Sequence, residues 1–138
     1  MTLRVESSAE YPIVREADVI DVRRRVRKLA QERGFDTFAT AALTTGASEL
    51  ARNAWVHGGG GEARVEEVAD GLRRGVRLTF RDRGPGIADI ERVLAGGFST
   101  IRSLGLGLSG TRRLVDEFEI DSSPGRGTVV VVTKWTRF

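Results

Sequence analysis

Residues 103–113 read SLGLGLSGTRR, and Gly105, Gly107 and Gly110 within them form a G-x-G-x-x-G pattern. A dinucleotide-binding fingerprint follows the first strand of a βαβ unit, and about 20 residues later the chain supplies a carboxylate. Here the preceding residues, GGFSTIRS, do not read as a strand, and the pattern lies in the last quarter of the chain. The sequence therefore excludes a Rossmann fold, and the absence of G-x-x-x-x-G-K-[ST] excludes a P-loop. The glycines alone are typical of a flexible loop without a ligand.

The segments around this stretch predict an α+β fold. Apolar periodicity of 3.6 predicts helices, alternation predicts strands, and Gly, Pro and Asp mark the boundaries. The predicted strands are 3–7, 11–14, 63–68, 76–81, 118–121 and 128–135, and the predicted helices are 18–33, 36–57, 89–94 and 106–117. Because hairpins dominate the second half, we expect a two-layer sandwich with a mixed sheet and helices on one face rather than a doubly wound parallel sheet.

Upstream, ELARNAWVHGG places three polar residues on one face of the second long helix. Glu49, Asn53 and His57 recur every four residues, beside the apolar Leu50 and Ala54. Side chains at this spacing lie above one another along a helix. A stripe of three polar residues is unusual for a face that only packs, so it marks a candidate site.

Two further glycine-rich turns follow at strand ends. In RDRGPGI, Asp82 ends a predicted strand and Gly84 and Gly86 flank Pro85. In SSPGRGT, Gly127 and Thr128 open the last strand. Taken alone, the first is as typical of a turn cap as of a ligand contact, and the second is typical of a hairpin.

The four motifs occur in a fixed order that resembles a known superfamily. Glu49 with Asn53, Asp82-x-Gly84-x-Gly86, Gly105-x-Gly107 and Gly125-x-Gly127-Thr128 are similar to the N box and the three glycine boxes of the ATPases shared by gyrase, heat-shock chaperones, histidine kinases and MutL. Within it, ELARNAWVHGG, GFST, LGLGLSGTRRLVDEFEI and GRGT look most like the RsbT-type switch serine kinases and anti-sigma regulatory factors. The resemblance is clearest from residue 41 to residue 135.

The resemblance implies a reaction centre on the second helix. Glu49 is similar to the general base that takes the proton from a substrate hydroxyl, and Asn53 is similar to the residue whose amide oxygen binds Mg²⁺ beside ATP. One helical turn separates them, which would set both near the transferred phosphate.

The resemblance also implies how ATP is held. Asp82 matches the acceptor for the adenine amino group, with Gly84 and Gly86 letting the chain pass close to the base. Thr128, preceded by Gly127, matches the hydroxyl that supports adenine recognition. Gly105, Leu106 and Gly107 match the phosphate cradle, with the two glycines expected to open the next helix and turn N–H groups toward the phosphates.

Some residues fall outside these roles or depart from the family pattern. We expect His57 to pack or cap the helix end rather than act in catalysis, and Trp55 and Trp135 to be core or interface anchors. Ile101 and Arg102 stand where related kinases often carry a glycine pair, so the lid has less backbone freedom.

Length and composition indicate the number of domains, the cellular compartment and the class of partner. With 138 residues, we expect one domain spanning 1–138. No segment approaches the roughly 18 uninterrupted apolar residues of a membrane span, no signal peptide is evident, and there is no cysteine, so we expect a cytoplasmic protein.

The net charge is +3, and the dense basic run is RRRVRK at 23–28, but aromatic residues make up only 7% and none interrupts this run. This favours an acidic protein partner over nucleic acid or a membrane.

The resemblance leaves two functions open. The first is a serine/threonine kinase in bacterial stress or sigma-factor partner switching, which phosphorylates STAS-domain antagonist proteins and, once freed, activates a metal-dependent serine phosphatase. The second is an anti-sigma factor, a nucleotide-gated binding module with a sigma factor as its partner. Glu49 favours the kinase, because a pure binding site needs no base.

Overall fold

A computed structural model describes residues 2–95 and 102–136, for 102–106 the backbone alone. These residues form five strands and four helices in this order: β1 (Leu3–Ile13), α1 (Glu16–Glu32), α2 (Thr37–Val56), β2 (Gly61–Asp70), β3 (Arg73–Asp82), α3 (Ile90–Leu94), α4 (Arg102–Leu114), β4 (Glu117–Ser122) and β5 (Thr128–Trp135). The strands make one sheet in the order β1-β2-β3-β5-β4. The predicted α+β two-layer class is confirmed.

The sheet is antiparallel at each pairing, and the expectation of a mixed sheet was wrong. The α1–α2 hairpin explains the first pairing, since two helices return the chain to the end of the sheet where β1 left it. Gly60, just before β2, lies against the carbonyl oxygen of Ile13 at the end of β1. The direction of a strand depends on the end of the sheet to which the connecting helices bring the chain, and short-range sequence patterns do not encode that.

The core lies between one face of the sheet and the helices. Alternate residues of the central strands, such as Val65, Leu78 and Val132, are buried against the inner face of α1 and α2, which includes Val26 and Leu50. Each such side chain contributes roughly 1.5–3 kcal/mol through burial. On α2, Asp36 is the N-cap, as predicted, and its carboxylate accepts from the N–H of Ala39 at 2.7 Å.

The largest differences from the predicted boundaries are in β1 and α4, while the other elements differ by no more than three residues at their ends. Residues 3–13 form one edge strand rather than two, because a register shift between Val5 and Ser7 lets a polar stretch keep its pairing with β2. Helix α4 begins at Arg102 rather than Leu106 and ends at Leu114, and the next residues turn where the carboxylate of Asp116 accepts from the N–H of Trp135. The glycines of α4 disfavour a helix locally, and packing against α2 outweighs that preference.

Candidate functional site

Helix α2 presents the predicted polar stripe toward α4. Asn53 is buried at 8% exposure, and its Nδ2 has no hydrogen-bond partner among the described residues. Glu49, one turn earlier, is partly buried and makes no ion pair or hydrogen bond within the described part of the chain. A buried amide without a partner costs free energy, so the pair is arranged for a group that the protein alone does not supply.

Gly107 of α4 lies directly against these two side chains. A Cβ added there would stand 3.0 Å from Oε2 of Glu49 and 3.1 Å from Nδ2 of Asn53. Gly46 of α2, one turn before Asn53's neighbour Glu49, has the same effect: a Cβ added there would stand 3.3 Å from Cγ2 of Thr111 of α4. The two glycines allow α2 and α4 to approach closely, which joins the N box to the second glycine box.

A cavity of about 120 Å³ opens beside Asn53 and runs to the end of β3. Its polar lining includes Asn53, His57, Asp82 and Thr128, and its apolar lining includes Leu50, Phe80, Ile87, Leu108 and Val130. Whole small-molecule ligands occupy roughly 300–1,000 Å³. This cavity therefore suits one flat ring, and the rest of such a ligand would lie beyond Asn53, toward Glu49.

Asp82 stands at the inner end of this cavity, half-buried, as the last residue of β3. Its Oδ1 accepts from the N–H of Gly84 at 2.9 Å, and the N–H of Thr128 also donates to the carboxylate. Burial raises the pKa of Asp82, and these two backbone donors partly offset the increase. Two backbone donors therefore hold the carboxylate in place in the lining of the cavity.

Gly58 fixes the position of this carboxylate from the opposite side. It follows His57, the C-cap of α2, and a Cβ at Gly58 would stand 2.6 Å from Oδ2 of Asp82. A Cβ on Gly84 would in turn stand 2.6 Å from the Cα of Gly58. The end of α2 and the turn after β3 therefore pack backbone against backbone, a role of Gly58 that sequence reasoning missed.

Ser122 links the first and third glycine boxes, and sequence reasoning missed it as well. Its Oγ accepts from the N–H of Ile87 and donates to the carbonyl oxygen of Gly127, each at 2.8 Å. The hydroxyl of Thr128 lies 2.8 Å from the same Oγ. Because the single Ser122 proton goes to Gly127, Thr128 donates its own proton to Ser122 and keeps its lone pairs for a ligand donor.

The first and third glycine boxes meet at the turn that follows β3. Gly86 and Gly127 adopt φ of +76° and +73°, a region that favours glycine, and a Cβ on Gly127 would stand 2.9 Å from the Cα of Arg83. Gly105 and Gly107 lie inside α4 rather than opening it, because the helix starts at Arg102. The side chains of Leu106 and Arg102, and Ile101 as a whole, lie outside the described residues.

The remaining candidates have the expected structural roles. His57 is the C-cap of α2, donating its N–H to the carbonyl of Asn53. Burial, with a contribution from nearby Arg52, lowers its pKa, so it lines the cavity as a neutral ring at pH 7. Trp135 is buried, donates to Glu117 through Nε1 at 2.6 Å, and Trp55 packs against the core.

Three further concavities formed by the described residues are not lined by Glu49, Asn53, Asp82 or Thr128. A groove of about 870 Å³ lies near the start of α2, between Phe38, Arg113 and Trp135. Within residues 2–95 and 102–136, three or more His, Cys, Asp or Glu residues do not gather into a metal-binding group. No helix in the part of the chain that the structure describes is long and apolar enough to span a membrane.

Comparisons with known proteins agree with this geometry. The family described as histidine kinase-like ATPase domain matches residues 14–134. The serine/threonine-protein kinase RsbT of Bacillus subtilis (strain 168) is 44% identical over 125 residues, which cover 91% of this chain and 94% of that protein. An anti-sigma F factor of Bacillus licheniformis is 35% identical over 97 residues, 67% of this chain and 66% of that protein.

A further anti-sigma F factor and a solved structure complete the comparison. The factor, from Thermoanaerobacter sp. (strain X514), is 31% identical over 69% of both chains. A chain in the crystal structure of the SiaB–SiaC complex from Pseudomonas aeruginosa superposes with a TM-score of 0.51 at 12% identity, covering 96% of this chain and 91% of that one, which supports the fold. Membership of an ATPase family implies the use of ATP. The chain belongs to the histidine kinase-like ATPase family, in the group of RsbT-type switch kinases and anti-sigma factors that its four motifs predicted.

Proposed function

We propose that the protein transfers the γ-phosphate of ATP to a serine or threonine of a STAS-domain antagonist protein, as a switch in bacterial stress or sigma-factor regulation. The observation that carries this proposal is the pair formed by Glu49 and Asn53, held one turn apart against Gly107 at the edge of the cavity. The 44% identity to a protein named serine/threonine-protein kinase supports the same activity.

Glu49 is the proposed general base. It is partly buried and has no partner within the described part of the chain, so its oxygens are free to accept a proton. A pure binding site would gain nothing from an unpaired, half-covered carboxylate. Close to Gly107, Glu49 accepts the proton of the substrate hydroxyl as that oxygen approaches the phosphate.

Asn53 is the proposed Mg²⁺ residue, and the site fits that ion. Carboxamide oxygens are hard ligands, and the side chain of Asn53 lines the cavity. Its unpartnered Nδ2 can donate to a phosphate oxygen while its amide oxygen binds the ion. When bound, Mg²⁺ neutralises charge on the phosphates. Since one amide oxygen supplies a single ligand, phosphate oxygens and water complete the shell.

Asp82 and Thr128 are the proposed adenine contacts. Asp82 offers its carboxylate to the exocyclic amino group, and Thr128 offers a hydroxyl oxygen whose proton is engaged by Ser122. Guanine presents a carbonyl at that position, which would face a carboxylate without a proton to share. Gly84, Gly86 and Gly127 bring the backbone close to the ring. The segment of Gly105, Leu106 and Gly107 within α4, where Gly107 lies against Glu49 and Asn53, would be on the phosphate side of the site.

The test is phosphorylation by the purified protein with Mg²⁺ and γ-labelled ATP, using STAS-domain proteins encoded near its gene. We expect label on a serine or threonine of one of them, and Glu49→Gln to lower the rate by about 10²–10⁴ with the ATP Kd changed less than about threefold. Glu32→Gln, which removes an exposed carboxylate from α1, is the matched control. A wild-type rate in Glu49→Gln would refute the assignment of the base.

The second candidate is an anti-sigma factor with little kinase activity, favoured by the relatives that carry that name. It predicts that ATP binds but is not transferred to any neighbouring STAS protein, and that ATP strengthens capture of a sigma factor. We propose that either activity takes place in the cytoplasm, in a single domain of residues 1–138, with a metal-dependent serine phosphatase as a further partner of the kinase.

A further inference from the structure

The groove of about 870 Å³ lies at the end of the molecule opposite the ATP site. It is bordered by the start of α2, the end of α4, the start of β3 and the end of β5, whereas the ATP cavity is lined by the other ends of α2, β3 and β5. Along α2, Phe38 is roughly 22 Å from Asn53 at the helical rise per residue. The groove is therefore too distant to form part of the nucleotide site.

This groove has an apolar lining, and one phenylalanine at its rim is exposed to solvent. Phe35 and Trp135 in the lining are buried, at 7% and 8% exposure, whereas Phe38 is 84% exposed. The other apolar lining residues are Ala39, Ala42, Leu114 and Val115. Burial of a phenylalanine side chain contributes roughly 1.5–3 kcal/mol, and the isolated chain forgoes most of this at Phe38. A protruding ring and an apolar hollow thus lie on the same surface patch.

Polar contacts hold the ring of Trp135 in a fixed position within the groove. Its backbone N–H donates to the carboxylate of Asp116 at 2.7 Å, and its Nε1–H donates to the carboxylate of Glu117 at 2.6 Å. The guanidinium of Arg73 lies 4.2 Å from the centroid of the ring. The hollow is therefore formed in advance, and an occupant does not lose affinity to the ordering of this wall.

The formal charges around the groove are balanced. The described lining has three cations and three carboxylates, which are Arg73, Arg113, Lys134, Asp36, Asp116 and Glu117. Arg113 is exposed and makes no ion pair or hydrogen bond with the described residues. Asp36 caps α2 and makes no ion pair with them. A patch without net charge does not repel a second copy of itself, and it offers little attraction to a strongly acidic or basic partner.

We propose that this groove is a self-association surface, in which two copies of the chain pair about a two-fold axis and Phe38 of each copy enters the groove of the other. A two-fold contact joins the same patch on both copies, so the protruding ring and the hollow are each used twice. The same symmetry would bring Arg113 of each copy toward Asp36 of the other. Aromatic side chains in preformed pockets contribute most of the affinity of such interfaces.

The paired form leaves both ATP sites accessible, because they lie at the far ends of the two copies. Two reaction centres in one particle can bind two sites of a multivalent partner at once, which strengthens overall binding without a new contact. One aromatic ring per copy is typical of a small and reversible interface, so we expect a dissociation constant of the dimer in the micromolar range.

The test is sedimentation velocity of the full chain, without nucleotide, over increasing protein concentration. We expect the wild type to shift from monomer to dimer, and Phe38→Asp to raise the dissociation constant of the dimer at least about 30-fold. Val14→Asp is the matched control, since Val14 is 69% exposed and lies beside Gly60 at the ATP-site end of the molecule. We expect it to change the constant less than about twofold.

A second variant and a binding measurement keep the test independent of folding. Arg113→Glu, which reverses an exposed charge, should weaken the dimer about tenfold. The ATP Kd should be the same in the wild type and all three variants, which verifies that each is folded. A wild type that stays monomeric throughout the micromolar and millimolar range would overturn the proposal. A dimer that Phe38→Asp and Val14→Asp weaken equally would overturn it too.

Another occupant of the groove would give a different result. If the wild type is monomeric and Phe38→Asp, but not Val14→Asp, weakens binding of a STAS-domain substrate, the groove binds that protein and self-association is refuted. Sedimentation needs neither Mg²⁺ nor phosphoryl transfer. Failure of the proposed kinase function would therefore leave this inference standing, and a monomeric wild type would leave the kinase function standing.

Discussion

Replacing Gly58 by alanine tests whether the end of α2 sets the adenine contact. The added Cβ would stand 2.3 Å from Cγ of Asp82, whereas ordinary contact begins at 3.4 Å, so the carboxyl group must move by about 1.1 Å. The φ of Gly58 is not positive, so the backbone tolerates alanine and the steric conflict is with Asp82. A shift of this size lengthens the 2.9 Å bond from Gly84 beyond the range of a hydrogen bond.

The expected loss follows from those contacts. A hydrogen bond to a charged group contributes about 1.5–3 kcal/mol, and about 1.4 kcal/mol corresponds to tenfold in affinity. We therefore expect the ATP Kd of Gly58→Ala to rise about 10- to 100-fold, with the preference for ATP over GTP reduced, and the free energy of unfolding to fall by about 1–3 kcal/mol from overpacking.

Isothermal titration with ATP and GTP, together with urea unfolding, measures these effects. Gly110→Ala is the matched control, since a Cβ there has open space in α4. It should stabilise the protein by up to about 1 kcal/mol without changing nucleotide affinity. A folded Gly58→Ala protein with wild-type affinity and wild-type preference for ATP would refute the argument that Gly58 positions Asp82 for adenine.

Three further predictions concern other parts of the structure. Ser122→Ala leaves the N–H of Ile87 without its acceptor, so urea titrations should show a free energy of unfolding lower by about 1–3 kcal/mol. The same variant should bind ATP more weakly. An unchanged free energy of unfolding together with an unchanged ATP Kd would contradict the linking role of Ser122. Because burial raises the pKa of Asp82, acidification from pH 7 should protonate it at a higher pH than a surface aspartate and weaken ATP binding. The variant Asp82→Asn should bind ATP weakly, and its affinity should change less with pH. Parallel pH profiles of the ATP Kd in the two proteins would remove Asp82 from the site. Asp36→Ala removes the N-cap of α2 and should lower the free energy of unfolding by about 1 kcal/mol in thermal unfolding, whereas Asp36→Asn should lower it less. An equal decrease in both variants would argue against capping through the side-chain oxygen.

Local patterns in the sequence were sufficient for most elements and for the order of the motifs. The α2 helix was predictable because its cap at Asp36 and its glycine-rich end act within a few residues. The final strand, Thr128–Trp135, was predictable because its valine-rich run has strong β propensity. The Glu49, Asn53 and His57 stripe follows from helical spacing alone, and the structure does place Glu49 and Asn53 together at the site.

What the sequence could not determine arises from contacts between distant segments. The start of α4 depends on Gly107 packing against Glu49 and Asn53, more than 50 positions earlier, which outweighs the poor helix propensity of glycine. Ser122 reads as an ordinary turn residue until β4 pairs with β5 and places it beside Ile87.

The sequence by itself thus determined the elements and the chemical groups of the site, because periodicity, capping and motif order are local properties. The tertiary structure alone decided that the sheet is antiparallel, that Gly58 packs against Asp82 and that Arg23 and Arg27 face threonines across a groove with no carboxylate among its described lining residues. These features depend on how the α1–α2 hairpin returns the chain to the sheet, and that path is stabilised by burial of the whole core rather than by any one segment.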